Sequence, residues 1–358
     1  MSQADIAVLG CGHWGRNIVR VLRQLGALRG VFDPSPTGQA AAREIAPGTT
    51  LYESPEELFA DDGVRGVMIA TPPSSHHALA VAAIEAGIDV FVEKPLTVEL
   101  DEAEDLLKRA GDSGRILMVG HLLEYHPAFV ELRELVHSGA LGKIRYLISN
   151  RLNLGRIRTE ENALWSFAPH DVAVILRLVG SMPCQVVATG GAYVQPNIAD
   201  ATVTQLLFDN GVRAHVFVSW LHPFKEQKLV VIGSEKMASY DDIRRELVLY
   251  DQRVDLKEGE PVPVRGEGVS VAFSDAEPLL LECQHFLDCI EKRERPLTDG
   301  VSGLRVLQIL SAAQRSMAMN GSGVSLPLDS PGMPASNAGA SQGGELSPRA
   351  GGRWNDWV

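Results

Sequence analysis

Cysteine is scarce in this 358-residue chain: Cys11, Cys184, Cys283 and Cys289 are the only four. They form neither a C-x-x-C pair nor a disulfide framework, and a reducing cytoplasm suits them best. No apolar run approaches the roughly 18 residues of a membrane span, so no membrane partner is expected. The opening Met1-Ser2-Gln3-Ala4-Asp5-Ile6 has no basic n-region and runs straight into a strand pattern, which speaks against a secretory leader. Basic residues are in deficit, with 33 Lys plus Arg against 45 Asp plus Glu and a formal charge of -12. That excludes nucleic-acid binding through a basic face. There is no internal repeat, and no metal site is assigned.

Apolar and charged residues, at 45% and 22%, have the balance of a globular chain. The length predicts two domains, with room for a tail. Over the first 122 residues two periods alternate. Ile6–Leu9, Leu28–Phe32, Val67–Ala70, Val90–Val92 and Ile116–Val119 read as buried strands. Gly15–Leu25, Ser54–Ala60, His76–Ala86 and Asp101–Ala110 have helical spacing. This alternation predicts an α/β Rossmann domain, a doubly wound parallel sheet over residues 1–122. From 123 to 328 the rhythm changes. Helices are expected over Ala128–His137 and Asp171–Leu178, then β-type runs at Cys184–Ala188, Ala201–Phe208, Val212–Trp220 and Lys228–Ile232. Asp209-Asn210-Gly211 is a hairpin signal. A second α/β domain with an open, largely antiparallel sheet is expected, closed by helices at Pro278–Ile290 and Ser302–Met317. In Ser330–Gly352, 17 of 23 residues are Gly, Pro, Ser or Ala. Residues 329–358 are therefore expected to be a flexible low-complexity tail, ending near Trp354 and Trp357.

Gly10-Cys11-Gly12-His13-Trp14-Gly15 follows the first strand and opens a helix, and Asp33 ends the next strand. Together they make a dinucleotide fingerprint. Gly10 permits the tight turn, Gly12 lets the backbone approach a pyrophosphate and Gly15 lets the helix pack on the sheet. The helix N-terminus offers N–H groups to the phosphates. A carboxylate at Asp33 suits the ribose hydroxyls of NAD. It would repel the 2′-phosphate of NADP by ~4 kcal/mol at 4 Å and an effective dielectric near 20. Pro34–Gln39 contains no arginine to offset this, so NAD is the expected cofactor and NADP the lesser one.

Glu93-Lys94-Pro95 places Lys94 at the carboxyl edge of the sheet, where such folds bind ligands. The glycine fingerprint, Thr71-Pro72-Pro73 with His76, and Glu93-Lys94-Pro95 at this spacing resemble the glucose–fructose oxidoreductase and inositol dehydrogenase (Gfo/Idh/MocA) family over about residues 4–328. The resemblance implies NAD(P)-dependent oxidation or reduction of sugars and polyols, and a homodimer or homotetramer built on the open sheet. It implies coenzyme contacts at Gly10, Gly12, His13, Trp14, Gly15, Asp33, Thr71, Pro72, His76, Glu93 and Lys94. It also assigns Lys94 to the reacting oxygen and cofactor, and His170, in Trp165–Asp171, to acid/base work. Such enzymes carry an aspartate four residues before that histidine; here Ser166 stands there. A second departure is Gly120-His121-Leu122-Leu123-Glu124-Tyr125-His126-Pro127, where relatives carry an asparagine and arginines. Tyr125 is its candidate for substrate contact.

Arg151, Arg156 and Arg158 fall within eight positions of an acidic chain and form a candidate anion clamp. Asn153, Ser166 and Lys225 complete the candidate substrate set with Lys94, Tyr125 and His170. Arg151–Gly155, Trp165–Asp171 and Ser219–Gln227 most resemble the nucleotide-sugar dehydrogenases of surface-polysaccharide synthesis. The resemblance is strongest to those that oxidise C3 of UDP-N-acetylglucosaminuronic acid to a 3-keto sugar. Two other readings fit the same residues: a dehydrogenase of free polyols, inositol or aminosugars, and a non-catalytic NAD-binding regulator on the same fold.

Overall fold

A computed structural model describes residues 5–328; the expected tail, Trp354 and Trp357 lie outside the described residues. The first sheet grows from short strands whose side chains are buried on both faces. Its strands are β1 (Ile6–Leu9), β2 (Leu28–Phe32), β3 (Thr50–Leu51), β4 (Gly66–Ile69), β5 (Asp89–Glu93) and β6 (Leu117–Gly120). All pair in parallel in the order β3-β2-β1-β4-β5-β6, the doubly wound order. Its helices are α1 (Gly15–Gln24), α2 (Pro36–Ile45), α3 (Pro55–Phe59), α4 (His76–Glu85) and α5 (Leu100–Ser113). Helix α2 went unrecognised in the sequence because its stripe is mostly alanine and glycine. Its start is nonetheless well made, with Ser35 capping Gly38 N and Pro36 at the first position.

The second part of the chain contains α6 (Pro127–His137), β7 (Ile144–Leu154), α7 (Ala163–Val179), β8 (Gln185–Gly191), β9 (Ala201–Leu207), β10 (Arg213–Ser219), β11 (Leu221–Gly233), β12 (Met237–Asp241), β13 (Glu246–Tyr250), a two-stranded arm of β14 (Arg253–Lys257) and β15 (Glu260–Val264), β16 (Gly268–Ser270), α8 (Pro278–Lys292), α9 (Gly300–Ala318) and β17 (Val324–Ser325). The nine-stranded sheet runs β16-β13-β12-β11-β7-β10-β9-β8-β17. Every pairing in it is antiparallel except β10 with β7. The α/β class expected from the sequence is the one observed, and the Asp209-Asn210-Gly211 hairpin joins β9 to β10.

Asn150–Leu154 forms the end of the central strand β7. One expectation needs correction. The helix expected from Asp171 begins eight residues earlier, at Ala163, capped by Asn162 through Trp165 N. Pro169 sits inside the helix.

Helix α8 returns to the first sheet. Leu279, Cys283, Phe286, Cys289 and Ile290 pack with Ile6, Val8, Met68, Phe91 and Met118, on the sheet face that α1 and α2 share. The opposite face packs on α4 and α5 through Leu9, Val67, Ile69, Val90 and Val92. A helix from the end of the chain thus completes the coenzyme-binding layer, and α9 lies against α5, α7 and β8.

Candidate active site

Three side chains converge where the parallel sheet ends. Glu93 lies opposite Gly120 in the β5–β6 register, so Lys94 and His121 leave neighbouring strands at the same carboxyl edge. The third comes from α7. Lys94 Nζ donates to the Ser166 carbonyl at 3.0 Å, and His170 follows one helical turn later. Pro169 has no N–H to return to the Trp165 carbonyl, and an interior proline loosens the turn before it. Lys94 takes a carbonyl of that turn. The departure at Ser166 therefore enters the site through backbone, not through its hydroxyl.

Burial shifts all three towards their neutral forms. It pushes the Lys94 ammonium below its ordinary value, with Glu161 and Glu93 opposing. It holds His170 well below the usual imidazole range, helped by Lys94 and Arg151, and His170 Nδ1 has no partner. His121 is pushed down to about 3 by burial, with Lys94 and Arg177 adding to it. For the two histidines the neutral form is favoured, as proton acceptance from an alcohol requires.

On the coenzyme side, no side chain caps α1, which leaves its N-terminus to an anion. Gly10 has φ +94°, and a Cβ on Gly15 would stand 2.0 Å from Gly10 O. Nothing approaches within 4 Å of a Cβ placed on Gly12. His13 and Trp14 are exposed beside it. Asp33 Oδ2 accepts from Cys11 N at 2.6 Å, while Oδ1 accepts from Ser35 N at 2.8 Å and Ser35 Oγ at 2.7 Å. Its carboxylate is thus fixed against the glycine turn at the end of β2. Glu93 accepts from Trp14 Nε1 and from Lys94 N, tying that turn to the lysine loop. The residues fit a dinucleotide. Thr71 and Pro72 follow β4, the strand beside β1. His76 is buried, its ring nitrogens facing Pro95 O at 2.8 Å and Thr71 O at 3.0 Å; it clips two coenzyme-side loops together from within.

The expected substrate residues divide. Tyr125 is corrected: it is buried in the core under the first sheet, its hydroxyl 3.1 Å from Thr298 Oγ1 and its ring against His285. Arg151 is buried and held by Asp171, at 2.8 Å from Nε and 3.2 Å from Nη2, so its fork is already filled. Asn153 lies near the end of β7 with a buried, unpartnered Oδ1. Arg156 is exposed, and Arg158 lies 3.8 Å from Glu161. Lys225 is exposed on the irregular stretch of β11 between Leu221 and Glu226. Sequence reasoning missed His121, although it quoted the stretch; the signal was the parallel edge it shares with Lys94.

A family model for the oxidoreductase family with an NAD-binding Rossmann fold matches residues 4–121, and one for the GFO/IDH/MocA C-terminal domain matches 129–239. UDP-N-acetylglucosamine 3-dehydrogenase of Acidithiobacillus ferrooxidans is 32% identical over 302 residues, 84% of this chain and 93% of its own length. The chain belongs to the Gfo/Idh/MocA oxidoreductase family. A solved structure of that A. ferrooxidans enzyme superposes with a TM-score of 0.79 at 28% identity, covering 89% of this chain and 99% of its own. The scyllo-inositol 2-dehydrogenase (NAD(+)) of Bacillus subtilis is 27% identical, over 88% of this chain and 94% of its own.

Behind the site of this Gfo/Idh/MocA dehydrogenase lies a set of buried acids. Glu124 pairs with Arg177 through Nε, and Arg177 also donates to Leu297 O at 2.6 Å. Burial lifts Glu93 and Glu124 each to about 7. Glu282 on α8 is 0% exposed, and neither carboxyl oxygen has a partner. Burial, with Glu93 and Glu124 adding to it, raises Glu282 well above the usual carboxylate value. The native state therefore holds a proton there that the unfolded chain gives up near pH 4.5. Stability from this group is present in acid and declines as pH rises above that value. Glu282→Gln is expected to raise Tm more at pH 8 than at pH 5 in thermal melts. An equal shift at both would mean that Glu282 is ionised in the fold.

Proposed function

We propose that this enzyme oxidises a secondary hydroxyl of a nucleotide sugar, at C3 of UDP-N-acetylglucosamine or of its 6-carboxylate, with NAD as acceptor. The product is a 3-keto nucleotide sugar suited to later amination in surface-polysaccharide synthesis. The observation that carries the reading is Lys94 Nζ held on the Ser166 carbonyl, one turn ahead of His170. The carbinol carbon gives up hydride and its oxygen gives up a proton; NAD, when bound, takes the hydride. Lys94 polarises the reacting oxygen, and His170, kept neutral by burial, accepts the proton. Asp33 supports NAD over NADP, since its carboxylate stands where a 2′-phosphate would need a cation.

The A. ferrooxidans 3-dehydrogenase supports the nucleotide sugar as substrate. Asp171 engages Arg151, which leaves Arg156 and Arg158 for a diphosphate or a uronate. A free-polyol substrate is the second reading, favoured by the likeness to the B. subtilis inositol dehydrogenase. We place the coenzyme on residues 1–122 and the substrate on 123–328. The working form is a cytoplasmic homodimer or homotetramer, paired through the sheet face that carries Tyr146, Ile148 and Phe217.

The test is absorbance of reduced nicotinamide after mixing stoichiometric enzyme with NAD or NADP and one substrate each time. The panel is UDP-N-acetylglucosamine, UDP-N-acetylglucosaminuronic acid, UDP-glucuronic acid, myo-inositol and N-acetylglucosamine. Reduction confined to UDP-N-acetyl sugars with NAD is expected. Reduction by myo-inositol alone would replace the nucleotide-sugar reading with the polyol one. Silence with every sugar would overturn both.

A further inference from the structure

His121 is 1% exposed, and among the described residues neither of its ring nitrogens meets a hydrogen-bond partner. Buried polar groups are nearly always paired, and each exception needs a cause. Disorder is not the cause here. The His121 backbone is fixed from both sides, its N–H donating to Val119 O at 2.8 Å and its carbonyl accepting from Glu124 N at 2.9 Å. Its place is the carboxyl edge of β6, beside Lys94 on β5. His170, which shares the reacting centre with Lys94, has an unpartnered buried Nδ1 as well.

We propose that His121 is a third residue of that centre, a neutral donor–acceptor that binds a group which is itself both donor and acceptor. A neutral imidazole has one N–H and one bare nitrogen. Two groups of the reaction match it: the carbinol hydroxyl of the substrate and the carboxamide of the nicotinamide. This deepens the dehydrogenase reading and rests on it. His121 supplies the side-chain polarity that Ser166, joined to Lys94 through backbone, does not.

The experiment compares His121→Leu and His121→Asn with the unaltered enzyme. The measurements are NAD titration by calorimetry, steady-state turnover of UDP-N-acetylglucosamine, and the Tm of the ligand-free protein. His121→Leu is expected to lower kcat/KM by about 10²-fold, and His121→Asn, which keeps a donor and an acceptor, to recover part of the loss. If the partner is the carbinol hydroxyl, the Kd for NAD stays unchanged; if it is the carboxamide, that Kd rises roughly tenfold. The ligand-free Leu variant should melt no lower than the parent, because it loses no hydrogen bond. A Leu variant with NAD binding and turnover both within about twofold of the parent overturns the proposal. So does one whose Tm falls by several degrees, which would make His121 a structural residue. Should the unaltered enzyme leave UDP-N-acetylglucosamine untouched, the preceding reading fails. The turnover comparison then moves to whichever sugar of the panel reduces NAD, and a Leu variant within about twofold of the parent there and in NAD affinity overturns the proposal.

Discussion

Lys94→Met lowers turnover by about 10²–10³-fold, the range for losing an electrostatic contact to the reacting oxygen, while the Kd for NAD changes little. Three features make the effect large. The ammonium sits at the carboxyl edge of β5, where the reacting oxygen must lie. It is held on the Ser166 carbonyl at 3.0 Å, so it is already positioned and needs no reorganisation. Burial lowers its pKa from the ordinary value, so its neutral form becomes accessible at a lower pH than for a surface lysine. A rate that falls as pH rises through that depressed value is expected of the parent, as the polarising ammonium is lost, and the Met variant should lack that limb. Methionine keeps most of the stem volume and removes a desolvated charge, so the fold should not suffer. NAD binding survives because the anion site is made by Gly10, Gly12 and the uncapped N-terminus of α1, on the other side of Glu93. Stopped-flow absorbance of reduced nicotinamide and a coenzyme titration check both halves. A loss under tenfold would remove Lys94 from the reacting oxygen.

Most of the first layer was legible because a parallel sheet buried on both faces writes itself as continuous apolar runs. Ile6–Leu9, Val90–Val92 and the glycine turn lie where they were expected. The Lys94 site was legible for a related reason: a short motif directly after a strand fixes the edge from which its side chain projects. What failed depends on contacts distant in sequence. Asn150-Arg151-Leu152-Asn153 reads as a polar loop until Asp171, on another element, neutralises Arg151 and lets the strand run through the middle of the sheet. Tyr125 looks like a candidate contact until α8, some 150 residues later, covers it. No local signal shows that Pro278–Lys292 returns to complete the first sheet, nor that Glu282 thereby joins Glu93 and Glu124. Nor does any local signal show that the turn loosened by Pro169 inside α7 holds the lysine.

The largest stability change is expected at Asp171, where Asp171→Leu should cost about 3–5 kcal/mol by stranding a buried cation, a fall in Tm on the order of 10 °C. The Asp171 carboxylate accepts from Arg151 Nε at 2.8 Å, Arg151 Nη2 at 3.2 Å and Ser149 Oγ at 2.7 Å. All three donors lie on the central strand β7, so removing the acceptor strands a guanidinium between β7 and α7. Arg151→Met joined to Asp171→Leu should recover most of the loss, because two apolar side chains can replace a buried ion pair at little net cost. Thermal melts of the two single variants and the double variant give the coupling directly. The double variant also separates the two roles proposed for Arg151. If the arginine serves only its pair with Asp171, the refolded double variant keeps its affinity for UDP-N-acetylglucosamine. If it also grips the substrate anion, stability returns while the affinity does not. Removing Arg151 also removes one of the cations that hold His170 below its ordinary pKa. The acid limb of the pH–rate profile should therefore move to higher pH in the double variant, since His170 then protonates more readily. An unmoved limb would mean that His170 does not accept the proton in this enzyme.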